Sequence, residues 1–343
     1  MIFMLRILPS LVLLALLSGC ETLGYYGQAA RGQWELLQAR EPIDKALGRE
    51  DLDPELRSKL ELVQSARRFA TEQLQLPDNG SYRSYAPLPR DAVVYNVVAA
   101  PEFSLEPKSW CFWVVGCLSY RGYFAEADAQ ALATTLQAEG YDTLVGKVPA
   151  YSTLGWFADP VPGPVLAWPD EEIVRLLFHE LAHQQLYIPD QTRYNENYAN
   201  AVGRLGLRAW RQAQGLPARE DAPLSAEVSA LLPPYLQELE ALYARPLPEL
   251  DKRWQKQAVF ARLAEAAAPI RAQSAGWDRW FSQLSNARLA AFADYNAAWP
   301  AFAALHQQCQ EDWACFHARS ADIGENPESR KALLQNATEE EGP

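Results

Sequence analysis

Several features are scarce in this chain of 343 residues, and each scarcity excludes something. Basic residues are outnumbered, with 31 Lys and Arg against 43 Asp and Glu. The resulting net charge of −12 at pH 7 makes a poor surface for phosphate backbones, so we expect no nucleic-acid partner. Charged residues make up only 22% of the chain while 49% is hydrophobic, which excludes disorder as a description of the whole chain. Histidine occurs only four times, and two of the four stand four residues apart.

The apolar run near the N-terminus is also short. Residues 7–17, behind the single basic Arg6, make up about 11 residues, whereas a helix needs roughly 20 to cross a bilayer. Such a run is typical of a secretory signal. It ends in residues 17–20 (LSGC), which resemble the bacterial lipobox, whose cysteine carries the lipid. We therefore predict a lipoprotein signal peptide over 1–19, lipidation at Cys20 and a tether over 20–30. A plain signal peptide or short anchor with an incidental cysteine is the alternative.

Lipidation predicts where the mature chain resides. Several acyl chains, at about 0.8 kcal/mol per buried CH2, hold a protein on a membrane essentially permanently. Glu21 follows the cysteine, whereas the retention signal of the inner membrane favours Asp at that place. The predicted location is therefore the cell envelope, facing the periplasm, with the outer membrane favoured over the inner one.

The other four cysteines form two closely spaced pairs in a compartment that permits oxidation. Five residues separate Cys111 from Cys117, and five separate Cys309 from Cys315. The simplest pairing joins each cysteine to its near neighbour as a local clamp, although four cysteines allow three connectivities. A zinc site built from these thiolates is the alternative.

Hydrophobic periodicity predicts a helix-rich α+β fold, with a small sheet beside a buried central helix and a helical C-terminal half. Residues 31–80 have helical spacing. Residues 81–168 are mixed, with strands expected at 93–99, 144–148 and 151–157 and a helix over 125–139 that ends at Gly140. Residues 169–324 are expected to be helical, and 325–343 to form a polar tail that is disordered over 336–341.

One predicted helix, with Asp170 as its N-cap, carries both closely spaced histidines in residues 179–183 (HELAH). Positions i and i+4 share a helix face, so His179 and His183 can reach a single ion while Glu180 projects beside a metal-bound water. This is the H-E-x-x-H arrangement of zinc peptidases. The surrounding positions are apolar nearly all round, which indicates a buried helix. Two core histidines satisfied by backbone partners are the alternative.

A catalytic zinc ion needs three protein ligands and one open position. Glu196, in the opening turns of a second helix capped by Thr192, is the predicted third ligand. Asn200, one turn later, is expected to hydrogen-bond the distal nitrogen of a ligating imidazole. The alternative is that Glu196 merely caps the helix or forms a surface pair.

The segment before the zinc helix is the predicted substrate edge. A strand over 153–157 would pair with an extended peptide, and Gly155 would permit its close approach. Trp156 and Asp159 are the predicted contacts there. Simple core packing of Trp156 and Phe157 is the alternative.

Peptide hydrolysis also needs a hydrogen-bond donor for the oxyanion of the tetrahedral intermediate. Tyr295 is the predicted donor, by analogy with the tyrosine of zinc aminopeptidases. His306 and His317 are the alternatives.

These segments together resemble a bacterial family of predicted aminopeptidases. The resemblance rests on residues 179–184 (HELAHQ), 194–196 (YNE), 150–160 (AYSTLGWFADP) and the stretch 110–124, and it covers most of the mature chain. It implies a zinc metallopeptidase. The pattern Asn-Glu-x-x-Ala at 195–199 is also similar to the third-ligand segment of gluzincins, although the 12 residues between His183 and Glu196 make a shorter gap than is common there. No Gly-x-Met-Glu-Asn segment is present to grip a free N-terminus.

We therefore expect a peptidase with one Zn2+ ion, in which Glu180 is the general base and peptides are cleaved from their N-termini. An envelope endopeptidase is one alternative. A non-catalytic lipoprotein scaffold with a structural or vestigial metal site is the other.

Overall fold

The computed structural model describes residues 23–112, 115–217, 223–296 and 298–336. The predicted signal peptide, the predicted lipidation site Cys20 and residues 337–343 lie outside the described residues, so the predictions about them stay predictions. No helix in the described ranges is both long and apolar enough to cross a membrane.

The fold is α+β and helix-rich, as predicted. The helices are α1 (23–39), α2 (Ile43–Leu47), α3 (Pro54–Glu72), α4 (Glu126–Ala138), α5 (Gly163–Leu166), α6 (Asp170–Gln185), α7 (Thr192–Ala213), α8 (Pro223–Leu231), α9 (Pro233–Ala244), α10 (Glu249–Ala266), α11 (Ala268–Gln273), α12 (Ala275–Ser282), α13 (Asn286–Asn296), α14 (Trp299–Gln308), α15 (Trp313–Glu325) and α16 (Pro327–Asn336). The strands are β1 (Glu41–Pro42), β2 (Ser84–Ala86), β3 (Val94–Pro101), β4 (Trp110–Phe112), β5 (Gly116–Leu118), β6 (Arg121–Tyr123), β7 (Tyr141–Val148) and β8 (Val161–Pro162).

Within the described ranges the strands form three small sheets, ordered β1-β2-β8, β6-β3-β7 and β4-β5. Strand β3 is central to the second sheet and pairs antiparallel with β6 and β7. Helix α4 covers one face of this sheet, because its Ala129, Ala133 and Leu136 join Tyr95 and Val97 in one core cluster. The strands predicted at 93–99 and 144–148 and the helix predicted over 125–139 are confirmed to within a few residues.

Both predicted disulfides are present. Cys111 faces Cys117 across the β4–β5 hairpin, and their sulfurs are bonded. Cys309, at the end of α14, is bonded to Cys315 in the first turn of α15. The four thiols are used up in these bonds, so the alternative of a cysteine-built zinc site is wrong.

Helices α6 and α7 form the centre of the main core, where the apolar face of α6 and residues such as Tyr194 and Tyr198 of α7 are fully buried. The helices approach closely where α7 has glycine. A Cβ added at Gly206 would lie 2.7 Å from Leu74 Cδ1 and 2.8 Å from Phe178 Cδ2. Because Gly206 has no Cβ, α7 can pack this closely against Leu74 and Phe178.

The helix starts differ by one residue from the prediction. Asp170 and Thr192 are the first helical residues, and the residues before them, Pro169 and Gln191, occupy the N-cap positions without side-chain capping bonds. Pro169 has φ −55° and ψ 144°, an extended conformation from which the helix begins at the next residue.

The strand predicted over 151–157 is wrong, because this segment forms a turn. Leu154 and Gly155 have φ of +56° and +83°, which reverses the chain. Thr153 N donates to Asp159 Oδ2 at 2.8 Å, and Trp156 N donates to Thr153 O at 3.0 Å. These local bonds replace the strand pairing that the aromatic and β-branched residues predicted.

The polar tail is also shorter than predicted. Residues 327–336 form helix α16, whose Leu333 and Leu334 pack against the main core. Asn336, expected to be disordered, is the last residue of that helix, and residues 337–343 lie outside the described part of the chain. Two leucines at consecutive positions supply enough apolar surface to dock the helix.

We expect Gly206→Ala to lower the free energy of unfolding by about 1 to 3 kcal/mol, because overpacking strains a well-packed core. The added methyl group would meet Leu74 and Phe178, which are both fully buried and have no room to move aside. Gly27→Ala on α1 is the control, since nothing lies within 4 Å of its added Cβ. Helix propensity alone predicts a gain of up to about 1 kcal/mol there. Urea unfolding measures both variants, and equal stability of the two would contradict the close packing.

Candidate metal centre

Three side chains converge between α6 and α7. The Nε2 atoms of His179 and His183 are 3.2 Å apart, and Glu196 Oε2 lies 3.4 Å from the first and 3.5 Å from the second. A tetrahedral ion with bonds of about 2.0 to 2.1 Å holds its ligand atoms about 3.3 to 3.4 Å apart. The three atoms therefore stand at the separations expected for three ligands of one such ion, with the fourth position left for water or substrate.

A short loop brings Glu196 to the histidines. Asn195 fastens that loop, because its Oδ1 accepts a hydrogen bond from Ile188 N at 2.9 Å and its Nδ2 donates to Ile188 O at 2.8 Å. Helix α7 thus starts directly beside the end of α6 and runs back along it. Glu196 is only 5% exposed, so the alternative that it forms a surface pair is wrong. The role of Asn195 was not predicted, although it directly precedes the proposed ligand.

The centre is buried, and some of its polar atoms have no hydrogen-bond partner in the part of the chain that the structure describes. His179, Glu180, His183 and Glu196 are each 9% exposed or less. Within the described residues, Glu196 Oε2 and His179 Nδ1 are buried and have no hydrogen-bond partner, and Glu196 Oε2 approaches the imidazole nitrogens only to 3.4 and 3.5 Å. A buried carboxylate oxygen without a partner is costly, and a cation bound to it would remove that cost.

The charges of the centre favour the metal-binding form in two of the three candidate ligands. Burial alone would raise the pKa of Glu196, but the charge of His183 and the contacts with both imidazoles lower that pKa to about 2. Burial lowers the pKa of His179, which favours its neutral imidazole. Burial also acts to lower the pKa of His183, but the Glu196 carboxylate outweighs it and raises that pKa. Metal binding would therefore compete with a proton at His183.

Glu180 lies on α6 immediately after the first ligand and is buried beside the centre. Burial raises the pKa of its carboxyl to about 7, opposed by His183 and increased by the negative charges of Glu196 and Asp159. A carboxylate with such a pKa can both accept and return a proton near neutral pH.

Two buried tyrosines are affected by the charges of the centre. Burial raises the pKa of Tyr295 well above its ordinary value, and the negative charges of Glu196 and Glu180 raise it further. Burial and the same two carboxylates also raise the pKa of Tyr120. Both phenols therefore stay protonated and can donate a hydrogen bond. Tyr295 was predicted and Tyr120 was missed, although Tyr120 lies in the 110–124 stretch that carries the family resemblance.

Asn200 does not make the predicted bond to an imidazole. Its Nδ2 donates instead to the backbone carbonyl of Tyr295. Asn197, three residues earlier on α7, donates from Nδ2 to Asp294 O at 2.7 Å. Both amides face α13, so they attach the tyrosine-bearing helix to the ligand-bearing helix.

The predicted substrate contacts lie on the 151–157 turn or, for Asp159, two residues beyond it. Asp159 is 3% exposed and accepts hydrogen bonds from Thr153, so it stabilises the turn. Burial raises the pKa of Asp159 to about 6, and the Thr153 bonds oppose that rise. Trp156 is 73% exposed, which excludes the alternative of core packing for it. The turn adjoins the end of α6, since Gln184 Nε2 donates to Ser152 Oγ at 3.3 Å, and Gly155 adopts a positive φ within it.

The alternative oxyanion donors have structural contacts elsewhere. His317 lies 2.7 Å from the Tyr198 hydroxyl through Nδ1 and 2.9 Å from Leu74 O through Nε2. His306 packs on Trp313, with ring centroids 4.5 Å apart. Neither imidazole is among the groups that converge on the centre.

Two histidines of an H-E-x-x-H helix and a glutamate from the following helix are the ligand set of a class of zinc hydrolases. A family model described as "Putative aminopeptidase" matches residues 24–334, and the chain belongs to that family. The search of curated proteins and the search of solved structures give no significant match.

We expect Glu196→Gln to weaken zinc binding by more than the roughly 10- to 100-fold that changes around a metal site typically cost, because a direct ligand loses its charge. Zinc content per chain and the zinc-dependent rise in Tm after EDTA treatment measure the effect. The parent should gain about 2.7 kcal/mol of stability when free zinc is 100 times the Kd.

The matched control is His306→Gln, which removes a buried imidazole outside the centre. It should bind zinc as the parent does. If Glu196→Gln binds zinc as tightly as this control, Glu196 is not a ligand.

Proposed function

We propose that this protein is a zinc-dependent peptidase of the gluzincin kind that removes residues from the N-termini of peptides. The observation that carries the proposal is the triangle of His179, His183 and Glu196 atoms at tetrahedral separations, with Glu180 next to it on the same helix. Membership of the aminopeptidase family supports the choice of peptides as substrates.

His179, His183 and Glu196 would hold the ion. When bound, zinc lowers the pKa of a water toward about 7 and polarises the scissile carbonyl. Glu180 accepts the proton of the attacking water and passes it to the leaving amine. Tyr295 and Tyr120, which stay protonated, are the candidate donors to the oxyanion of the tetrahedral intermediate.

We expect Glu180→Gln to keep its zinc and to lose peptide hydrolysis by about 10²- to 10⁴-fold in kcat, because the amide cannot accept the proton. Glu172→Gln, a change at a half-exposed residue in the first turn of the same helix, is the control and should keep both properties. Zinc content and hydrolysis of short peptides with free amino termini are measured side by side. Unchanged hydrolysis by zinc-loaded Glu180→Gln would refute the mechanism.

Acetylating the amino terminus of the same peptides separates two kinds of peptidase. An aminopeptidase does not cleave the acetylated peptides, whereas an endopeptidase cleaves them as before. Zinc binding without hydrolysis of any peptide would instead favour a scaffold with a structural metal site.

The proposed location is the cell envelope, with a lipid on Cys20 and the folded body facing the periplasm. The short apolar run, the LSGC sequence and the two disulfides support it, since disulfides persist in oxidising compartments.

Expression in a bacterium with labelled palmitate tests the anchor. The parent should incorporate label and fractionate with membranes, because several acyl chains hold a protein on a bilayer. Cys20→Ala should lose both properties. Label in Cys20→Ala equal to that in the parent would rule out lipidation at this residue.

A further inference from the structure

A cavity of about 610 Å³ lies among the β4–β5 hairpin, the start of α7, the junction of α8 and α9, and α13. None of the proposed metal ligands lines it. Its size suits part of a peptide rather than a water cluster.

The cavity is lined by residues of α7 and α13, the helices that carry Glu196 and Tyr295. Thr192 and Arg193 line the cavity and precede Glu196 by four and three residues, which is one helical turn or about 5.4 Å along α7. On α13, Asp294 lines the cavity and directly precedes Tyr295. Asn197 Nδ2 of α7 donates a hydrogen bond to the backbone carbonyl of Asp294 at 2.7 Å. An extended peptide advances about 3.3 to 3.6 Å per residue, so a side chain one or two residues from the scissile bond would reach the cavity.

The lining is strongly acidic. Asp294 lies in the wall, where its Oδ2 accepts a hydrogen bond from Ser119 Oγ at 2.6 Å. Glu106, Asp190 and Glu240 are exposed at the margin. Among the described residues that line the cavity, Arg193 is the one basic side chain. Four carboxylates against one guanidinium attract a cation.

Other groups in the lining match the rest of a basic peptide. Arg193 Nε and Ser229 Oγ are buried and have no hydrogen-bond partner in the described part of the chain, and peptide carbonyls are acceptors for both. Leu236 and Phe292 supply apolar surface. The methylene stem of a lysine or arginine packs against such surface while its charged end reaches a carboxylate.

We propose that this cavity is the subsite that binds a lysine or arginine side chain of the peptide substrate, one or two residues from the scissile bond. The inference rests on the proposed peptidase function. Asp294 and the marginal acids pair with the ammonium or guanidinium group, and the apolar wall holds the stem.

The test measures binding separately from hydrolysis. Alanine-based pentapeptides with a free amino terminus carry a single Lys, norleucine or Glu at each position in turn. Calorimetry gives their affinities for zinc-loaded Glu180→Gln protein. At one position Lys should bind about tenfold tighter than norleucine, a difference of about 1.4 kcal/mol.

Adding Asp294→Asn should reduce that ratio toward one, while Asn still accepts the hydrogen bond from Ser119. Glu240→Gln, at the exposed margin, should reduce it in part without risk to folding. Asp251→Asn, an exposed acid of α10 that does not line the cavity, is the matched control and should keep the full ratio.

Equal affinity for Lys and norleucine at every position, or a ratio that Asp294→Asn leaves intact, overturns the subsite. Tightest binding of the Glu peptides would overturn it as well, because Arg193 would then make the cavity an anion site. If the parent hydrolyses neutral peptides in a zinc-dependent way but shows no preference for Lys, the subsite is refuted and the peptidase function is supported. If Lys peptides bind preferentially but the parent protein hydrolyses no peptide, the subsite is supported and the peptidase function is refuted.

Discussion

The close contact of α6 with α7 is the constraint on which the rest of the structure depends. A Cβ added at Gly203 would lie 3.0 Å from Arg175 O and 3.4 Å from His179 Cβ, so at this glycine the backbones of the two helices come close together. Glu196 lies about two turns before Gly203 on α7, and the spacing of the helices therefore sets the distance from its carboxylate to the imidazoles. The same contact excludes water from the Glu196 carboxylate and the imidazoles, and without water the interactions among these groups are stronger.

Elements distant in sequence then enclose the centre. The disulfide-closed β4–β5 hairpin docks on the loop between α6 and α7, because Cys117 N donates to Asp190 Oδ1 at 2.6 Å and the Tyr187 hydroxyl donates to Val115 O at 2.6 Å. The chain leaving this hairpin carries Ser119 to Asp294 and Tyr120 toward the charges of Glu196 and Glu180. The disulfide thus clamps a hairpin whose Cys117 and Leu118 line the cavity next to α7.

Much of the fold follows from local patterns, and the errors have identifiable causes. Helix α4, strands β3 and β7 and the buried helix α6 were predictable, since their apolar periodicity agrees with the packing that they find. Residues 151–157 look like a strand because they are β-branched and aromatic, but hydrogen bonds from Thr153 to Asp159 favour a turn. The bond of Asn200 to the Tyr295 carbonyl was unpredictable, because nothing local in α7 indicates that α13 crosses there.

The sequence by itself determined the chemistry of the centre: His179, Glu180 and His183 on one buried helix and a glutamate just beyond it. It favoured pairing of each cysteine with its near neighbour, and the structure selected that pairing from the three that were possible. Helical periodicity and short loops fix such relations without reference to the rest of the chain. Only the tertiary structure decided that Tyr120 and Tyr295 come under the charges of Glu180 and Glu196, and that a cavity with Asp294 in its lining forms against the same helices. These groups come from elements far apart along the chain, and their meeting depends on how whole helices and a hairpin pack, which no local pattern records.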